Sequence, residues 1–179
     1  MVGDPATRAP GRGHCHLTPL GDHGVVAALL DPDRADDAHT SQRLATEPVI
    51  WLGTTRPDGR PHHVPVWFLW RDPLVLVFSM PGTQKLRNIG HMGAVTLTLD
   101  SADSGRDIVI LEGRASLADD TTPPVASMLP AFEEKYSALT SGPGFDAWRS
   151  TFSEPIMVAV SRVVAWTRKN GELFYRSVP

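Results

Sequence analysis

Cysteine is almost missing from this chain of 179 residues: Cys15 is the only one, so no disulfide can form within the chain. That agrees with a reducing cytoplasm, the compartment expected. Long apolar runs are missing too. None approaches the roughly 20 residues of a membrane span. Val25–Leu30 is too short for the core of a secretory signal. Neither charge sign dominates, since 17 Lys and Arg against 20 Asp and Glu leave a net −3. Nucleic acid and anionic membrane therefore find no general attraction, and neither is expected as a partner. No G-x-S-x-G surrounds a serine and the one cysteine stands near the N-terminus, so no nucleophilic triad is visible. There is no internal repeat and no G-x-G-x-x-G fingerprint of a Rossmann sheet.

What is present fits one globular domain with a substantial core: 41% of residues are hydrophobic and 21% charged. Residues 1–40 read as a flexible tail and polar lead-in, Met1–Gly21 being rich in Gly, Pro and Arg. His14-Cys15-His16 tempts a metal reading, but three adjacent ligands cannot face one ion without distortion, and no metal is expected. Asp31, Asp33, Asp36 and Asp37 lack the Gly and terminal Glu of a calcium loop and read as a solvated acidic loop. Ser41–Glu47 is a candidate helix leading into the first strand.

The stretch from Val49 to Asn88 organises the rest. Val49–Thr55 is apolar and β-branched, as strands prefer. Arg56-Pro57-Asp58-Gly59-Arg60-Pro61 supplies turn chemistry, with Pro57 presetting φ and Gly59 free to take positive φ. His62–Leu69 resumes as a strand in which Pro65, unable to donate to a ladder, marks an edge or bulge. A turn at Arg71-Asp72-Pro73 leads into a third strand, Leu74–Ser79. Met80-Pro81-Gly82-Thr83 then precedes a short helix, Gln84–Ile89, with Thr83 as N-cap and Gly90 as the residue after its end. A strand, a Gly-containing turn, a helix start and Lys85 and Arg87 in its first turns together describe a phosphate cradle. An ordinary solvated helix start is the alternative.

Further along, Ala94–Asp100 alternates strictly, with Val95, Leu97 and Leu99 inward. Asp107–Leu117 is the next strand. Pro123-Pro124 opens a helix whose Met128, Leu129, Phe132 and Tyr136 form one apolar stripe for the core. Phe145–Phe152 is a shorter helix and Ile156–Trp166 a long strand. Asn170-Gly171 signals a hairpin, with Leu173–Val178 as an extra strand. Successive strands without βαβ alternation point to a closed or split antiparallel barrel. His62 and His63 must face opposite sides of their strand, so at most one reaches a pocket.

Trp51-Leu52, the turn from Arg56 to Pro61, Val64-Pro65-Val66-Trp67-Phe68 and Pro81-Gly82-Thr83-x-Lys85-Leu86-Arg87-Asn88 resemble the pyridoxamine 5'-phosphate oxidase-like split β-barrel superfamily. The likeness is to its deazaflavin branch, the flavin/deazaflavin oxidoreductases of group B, which use coenzyme F420. It continues through Asp107–Gly113 and Lys135-Tyr136 to Ile156–Trp166, about 120 residues in matching order. The resemblance implies a six-stranded antiparallel split barrel with flanking helices over residues 41–179, forming a homodimer. It implies that Thr83, Lys85 and Asn88 hold the cofactor phosphate, with Ser79 and Arg87 as further candidates. Pro65-Val66-Trp67 is then the strand against which the deazaflavin ring lies. Arg56 and Arg60 would meet the acidic polyglutamate tail or the phosphate, unless they are solvated surface arginines. Trp166 and Tyr136 either pack in the core or approach the site from the partner subunit. The expected activity is hydride transfer from reduced F420 to a small organic acceptor. An FMN-dependent oxidoreductase of the same fold and a non-catalytic cofactor- or haem-binding protein are the alternatives, and no catalytic side chain is identified.

Overall fold

Residues 28–100, 103–142, 144–169 and 172–178 are described by the computed structural model of the chain. The expected period-2 alternation is realised in β1 (Val49–Thr55), where Ile50, Leu52 and Thr54 are buried and their neighbours are not. β1 pairs with β2 (Pro61–Arg71) across the Arg56–Arg60 turn, in which Gly59 takes φ +84. β2 returns through Asp72-Pro73 to β3 (Leu74–Ser79). Next come α2 (Gln84–His91), β4 (Ala94–Leu99), β5 (Ile108–Leu117), α3 (Pro123–Thr140), α4 (Phe145–Thr151), β6 (Glu154–Lys169) and β7 (Glu172–Val178); α1 (Ala35–Thr46) precedes β1.

All strand pairs among these are antiparallel, in the order β3-β2-β1-β4-β5-β6-β7. β3 also pairs with β6, Leu74 opposite Ala159 through Ser79 opposite Glu154, and this closes β1–β6 into the expected six-stranded barrel. The 16-residue β6 gives its first part to β3 and its second part, Val163–Lys169, to β7. The switch occurs beside a bulge where Glu112 faces Arg162 but Gly113 faces Val160. An extra residue on one strand bends it and increases its twist. Gly113 is needed there because a Cβ would run into the Ala159 carbonyl and Val160 Cα.

Ile50, Leu52, Phe68, Leu97, Leu111 and Val158 are among the fully buried side chains of the barrel interior. A second apolar cluster lies outside the barrel wall, where Val125, Met128, Phe132 and Tyr136 of α3 meet Leu76 and Phe78 of β3. Pro123-Pro124 occupy the first positions of α3, where a missing N–H costs no helical bond.

Several expectations need correction. The first helix begins at Ala35 rather than Ser41. Ahead of it, Leu30 is buried in the core and the Leu29 and Leu30 N–H groups donate to the Asp72 carboxylate at 2.9 and 2.8 Å. The packed structure therefore takes in residues 28–40, which composition assigned to the lead-in. Asp36 and Asp37 are helical, and Asp37, only 1% exposed, is held by Arg176 through two 2.9 Å hydrogen bonds. A distant β7 arginine, invisible to local composition, turned that aspartate from a surface group into an internal one. Gly90 lies inside α2, which runs on to His91 and caps at Met92. β7 confirms the extra strand, whereas its Asn170-Gly171 turn lies outside the described residues, as do Met1–Gly21 and His14-Cys15-His16. No described helix is long and apolar enough to cross a membrane, and the described residues hold no cluster of metal-ligating side chains.

A cleft with one unpaired lysine

The loop from β3 to α2 is held from within. Ser79, fully buried, donates to the Met80 carbonyl at 2.9 Å and its Oγ lies 2.8 Å from the Thr83 hydroxyl. Gly82 makes the bend at φ +69, a conformation in which an L side chain is strained. Thr83 stands at the N-cap with extended backbone, but its hydroxyl is engaged with Ser79 and caps no amide. Arg87 folds back on its own turn, donating to the Gly82 carbonyl at 2.6 Å and to Gln84 Oε1 at 2.8 Å. Asn88 is fully buried; it donates to Thr54 Oγ1 at 2.9 Å and accepts from Gln84 Nε2 at 2.7 Å. Four of the expected phosphate contacts thus shape the loop and fasten α2 to β1.

Lys85 differs. It is partly buried, and its ammonium has neither a hydrogen bond nor an ion pair among the described residues. Burial pulls its pKa below the ordinary lysine value. A desolvated cation without an acceptor is costly to maintain, and clefts are where such groups meet anionic ligands.

Lys85 stands at the edge of an open cleft of about 380 Å³ whose other lining residues are Val49, Pro65, Val66, Trp67, Phe78, Trp148 and Phe152. Two expectations from distant parts of the sequence meet here: the Pro65-Val66-Trp67 strand and the lysine of the cradle share one concavity. β2 is unpaired on one edge before Phe68, where its ladder with β3 begins, which suits the proline's inability to donate. Trp67 lies sandwiched between Tyr136, with ring centroids 4.4 Å apart and planes within 2°, and Trp148, at 5.1 Å. Phe152 continues the stack beyond Trp148 at 4.9 Å. Tyr136 therefore packs in the core of this chain. Its hydroxyl accepts from the Phe68 N–H at 2.8 Å and lies 2.7 and 2.9 Å from the Pro48 and Phe68 carbonyls, and burial pushes its pKa well up, so it stays neutral.

His62 faces inward beside Thr54, and Arg56 and Lys85 both act on it electrostatically. Desolvation first, then those two cations, hold its pKa below the usual histidine value. His63, on the opposite face, stacks on Trp51 at 5.3 Å. Arg60 turns away: its guanidinium is exposed and paired with Asp58 at 2.7 and 2.9 Å. Trp166 lines a different and smaller recess of about 140 Å³ between α1 and the β6–β7 ribbon, among groups such as His39 and Asp107 that pair with each other at 2.9 Å. Sequence reasoning missed Val49, Phe78, Trp148 and Phe152. The two aromatic residues of the α4 region sit four apart, and that spacing was the one local sign of a shared face.

No curated protein sequence matches the chain. Among solved structures, a putative pyridoxamine 5'-phosphate oxidase from Listeria innocua is 16% identical, with TM-score 0.55, over 72% of this chain and 95% of that one. A heme binding protein from Mycobacterium smegmatis is 19% identical, with TM-score 0.58, over 83% of this chain and 59% of that one. An F420 reductase is 22% identical, with TM-score 0.52, over 68% of this chain and 94% of that one. At such identities these likenesses establish the barrel and leave the ligand open. The family profile reaches further into sequence. It matches residues 36–159, from α1 into β6, and so takes in every element around the cleft; the chain belongs to the pyridoxamine 5'-phosphate oxidase family.

Proposed function

We propose that the protein is an F420-dependent oxidoreductase that transfers a hydride from the reduced deazaflavin to a small organic acceptor. The observation that carries this reading is the unpaired, partly buried ammonium of Lys85 at the edge of an otherwise apolar cleft. The residues fit a phosphate-bearing planar heterocycle. The Pro65-Val66-Trp67 strand offers an apolar floor, Trp148 and Phe152 an aromatic wall, and Lys85 a cation for the phosphate. When bound, the coenzyme supplies the hydride chemistry. The chain's part is to bind and orient it: Asn88 and Thr54 fix α2 so that Lys85 is held at the cleft, and the aromatic walls exclude water from the ring. The Pro-Gly-Thr-x-Lys-x-Arg-Asn signature supports F420 over FMN.

A second reading, FMN as the cofactor, is favoured by one observation. Arg56 and Lys85 both act electrostatically on His62, so a second cation besides Lys85 serves this region, which suits a terminal phosphate dianion. A haem-carrying role lacks such support, for the cleft lining contains no His, Cys, Met or Tyr. Fluorescence titration of the purified protein with each cofactor decides. At least a tenfold preference for F420, about 1.4 kcal/mol, is expected. Copurifying FMN or equal affinities sinks the choice of cofactor, and failure to bind either sinks the reading itself.

A further inference from the structure

α4 supplies Trp148 to the cleft wall, and the chain directly after it supplies Phe152, yet no residue of the helix is itself buried. Seven residues do not hold a helix in water, so its place comes from what it touches. The chain enters it through Gly144 at φ +84, a conformation that strains an L side chain. One hold is aromatic: Trp148 stacks on Trp67 and meets the Phe78 ring edge-on at 5.8 Å. The other is Arg149, which is not among the residues lining the cleft. Its Nη2 donates to both oxygens of the Asp120 carboxylate, at 2.7 and 2.9 Å, in the loop between β5 and α3. Its Nη1 donates to the Phe152 carbonyl, and the guanidinium carbon stands 4.1 Å from the centroid of the Phe78 ring. The arginine side chain is 13% exposed, against 58% for its partner, so the guanidinium is the inner member of the pair. Arg149 thus touches two residues of the cleft, follows a third in sequence, and ties them to the loop after β5.

We propose that Arg149 is a positioning residue of the cleft: it sets where the Trp148–Phe152 wall stands, and so how closely that wall meets a planar ring, without touching the ligand. The inference rests on the proposed cofactor reading and deepens it, because it divides binding into two parts. Lys85 serves the phosphate; Arg149, acting through the wall, serves the ring. A guanidinium is what the place demands. Its planar fork lies over the Phe78 face while it donates in two directions, to Asp120 and to the Phe152 carbonyl. A lysine ammonium keeps the charge but neither stacks flat nor spans both acceptors. The Asp120 pair, exposed on its carboxylate side, carries little energy by itself; its part is to orient the guanidinium.

The test compares Arg149→Met, Arg149→Lys and Asp120→Asn with the parent. The stacked Trp67–Trp148 pair gives an exciton band in circular dichroism, assigned by its loss in Trp148→Leu, which reads the wall with no ligand present. Dissociation constants for F420, FMN and riboflavin, which lacks the phosphate, read the cleft. In Arg149→Met the exciton band should collapse, and all three ligands should lose affinity by the same factor, about three- to tenfold. Arg149→Lys and Asp120→Asn should fall between that variant and the parent, with Tm within about 3 °C of the parent's. Should Arg149→Met fail to fold, these two milder variants carry the same comparison. An unchanged exciton band, an unchanged riboflavin affinity, or a loss confined to the phosphate-bearing ligands overturns the proposal and leaves the cofactor reading standing. If the parent binds none of the three, the cofactor reading fails, and the exciton band alone then decides whether Arg149 places the wall.

Discussion

Replacing Lys85 with methionine should move stability and binding in opposite directions. Methionine keeps the unbranched stem against the cleft and removes the ammonium, which has no acceptor among the described residues. On the binding side, a charge-assisted contact to phosphate contributes about 1.5–3 kcal/mol, so Kd should rise by about one to two decades. On the stability side nothing buried is orphaned, and the change should stay within about 0.5 kcal/mol, with the sign toward stabilisation. The sign follows from linkage. The folded pKa of Lys85 lies below its unfolded value because burial disfavours the charge. The parent is therefore destabilised by this group at pH below that folded value, and recovers stability as pH rises toward the unfolded pKa. The advantage of Lys85→Met is thus present at pH 7 and fades in strong alkali. For a domain of this size the shift in Tm is about 1–2 °C at most. Isothermal titration with F420 and FMN measures the binding arm; urea melts at pH 7 and pH 10 measure the other. Unchanged affinity, or destabilisation beyond 1 kcal/mol, means that Lys85 serves the fold rather than a ligand.

Tyr136→Phe keeps the stack on Trp67 but leaves the buried Phe68 N–H without its acceptor, costing about 1–3 kcal/mol in denaturant melts; a neutral outcome refutes the bonding described. Trp148→Leu retains bulk but breaks the stack with Trp67 and Phe152 that forms the cleft wall, so cofactor affinity should fall about two- to tenfold, the worth of an aromatic pair at about 0.5–1.5 kcal/mol. Arg60→Ala should leave affinity within about twofold, because its guanidinium is committed to Asp58 in an exposed pair of little energetic weight. A loss of a decade there restores Arg60 as a ligand-binding residue.

Local pattern determined much of this protein. The alternation in Val49–Thr55 and Ala94–Leu99, the turn at Gly59, the bend at Gly82 and the stripe of α3 are short-range features, each set by steric and burial preferences a few residues wide. The barrel was legible because such strands, joined by turns and lacking crossover helices, have few ways to bury both faces. The site was only half legible. Thr83, Lys85 and Asn88 look alike along the chain, yet packing separates them: Asn88 is buried and bonded to Thr54, Thr83 is engaged by Ser79, and of the three Lys85 alone has no acceptor among the described residues. Asp37 passed for a surface aspartate until Arg176, 139 residues away, covered it. Likewise Val49, Trp67, Lys85 and Trp148 are spread over a hundred residues and meet only because β3 pairs with β6 and α4 folds back over β2. Sequence period reports which face of an element is apolar; which elements then share a cleft depends on non-local pairing, and that only the closed barrel decided.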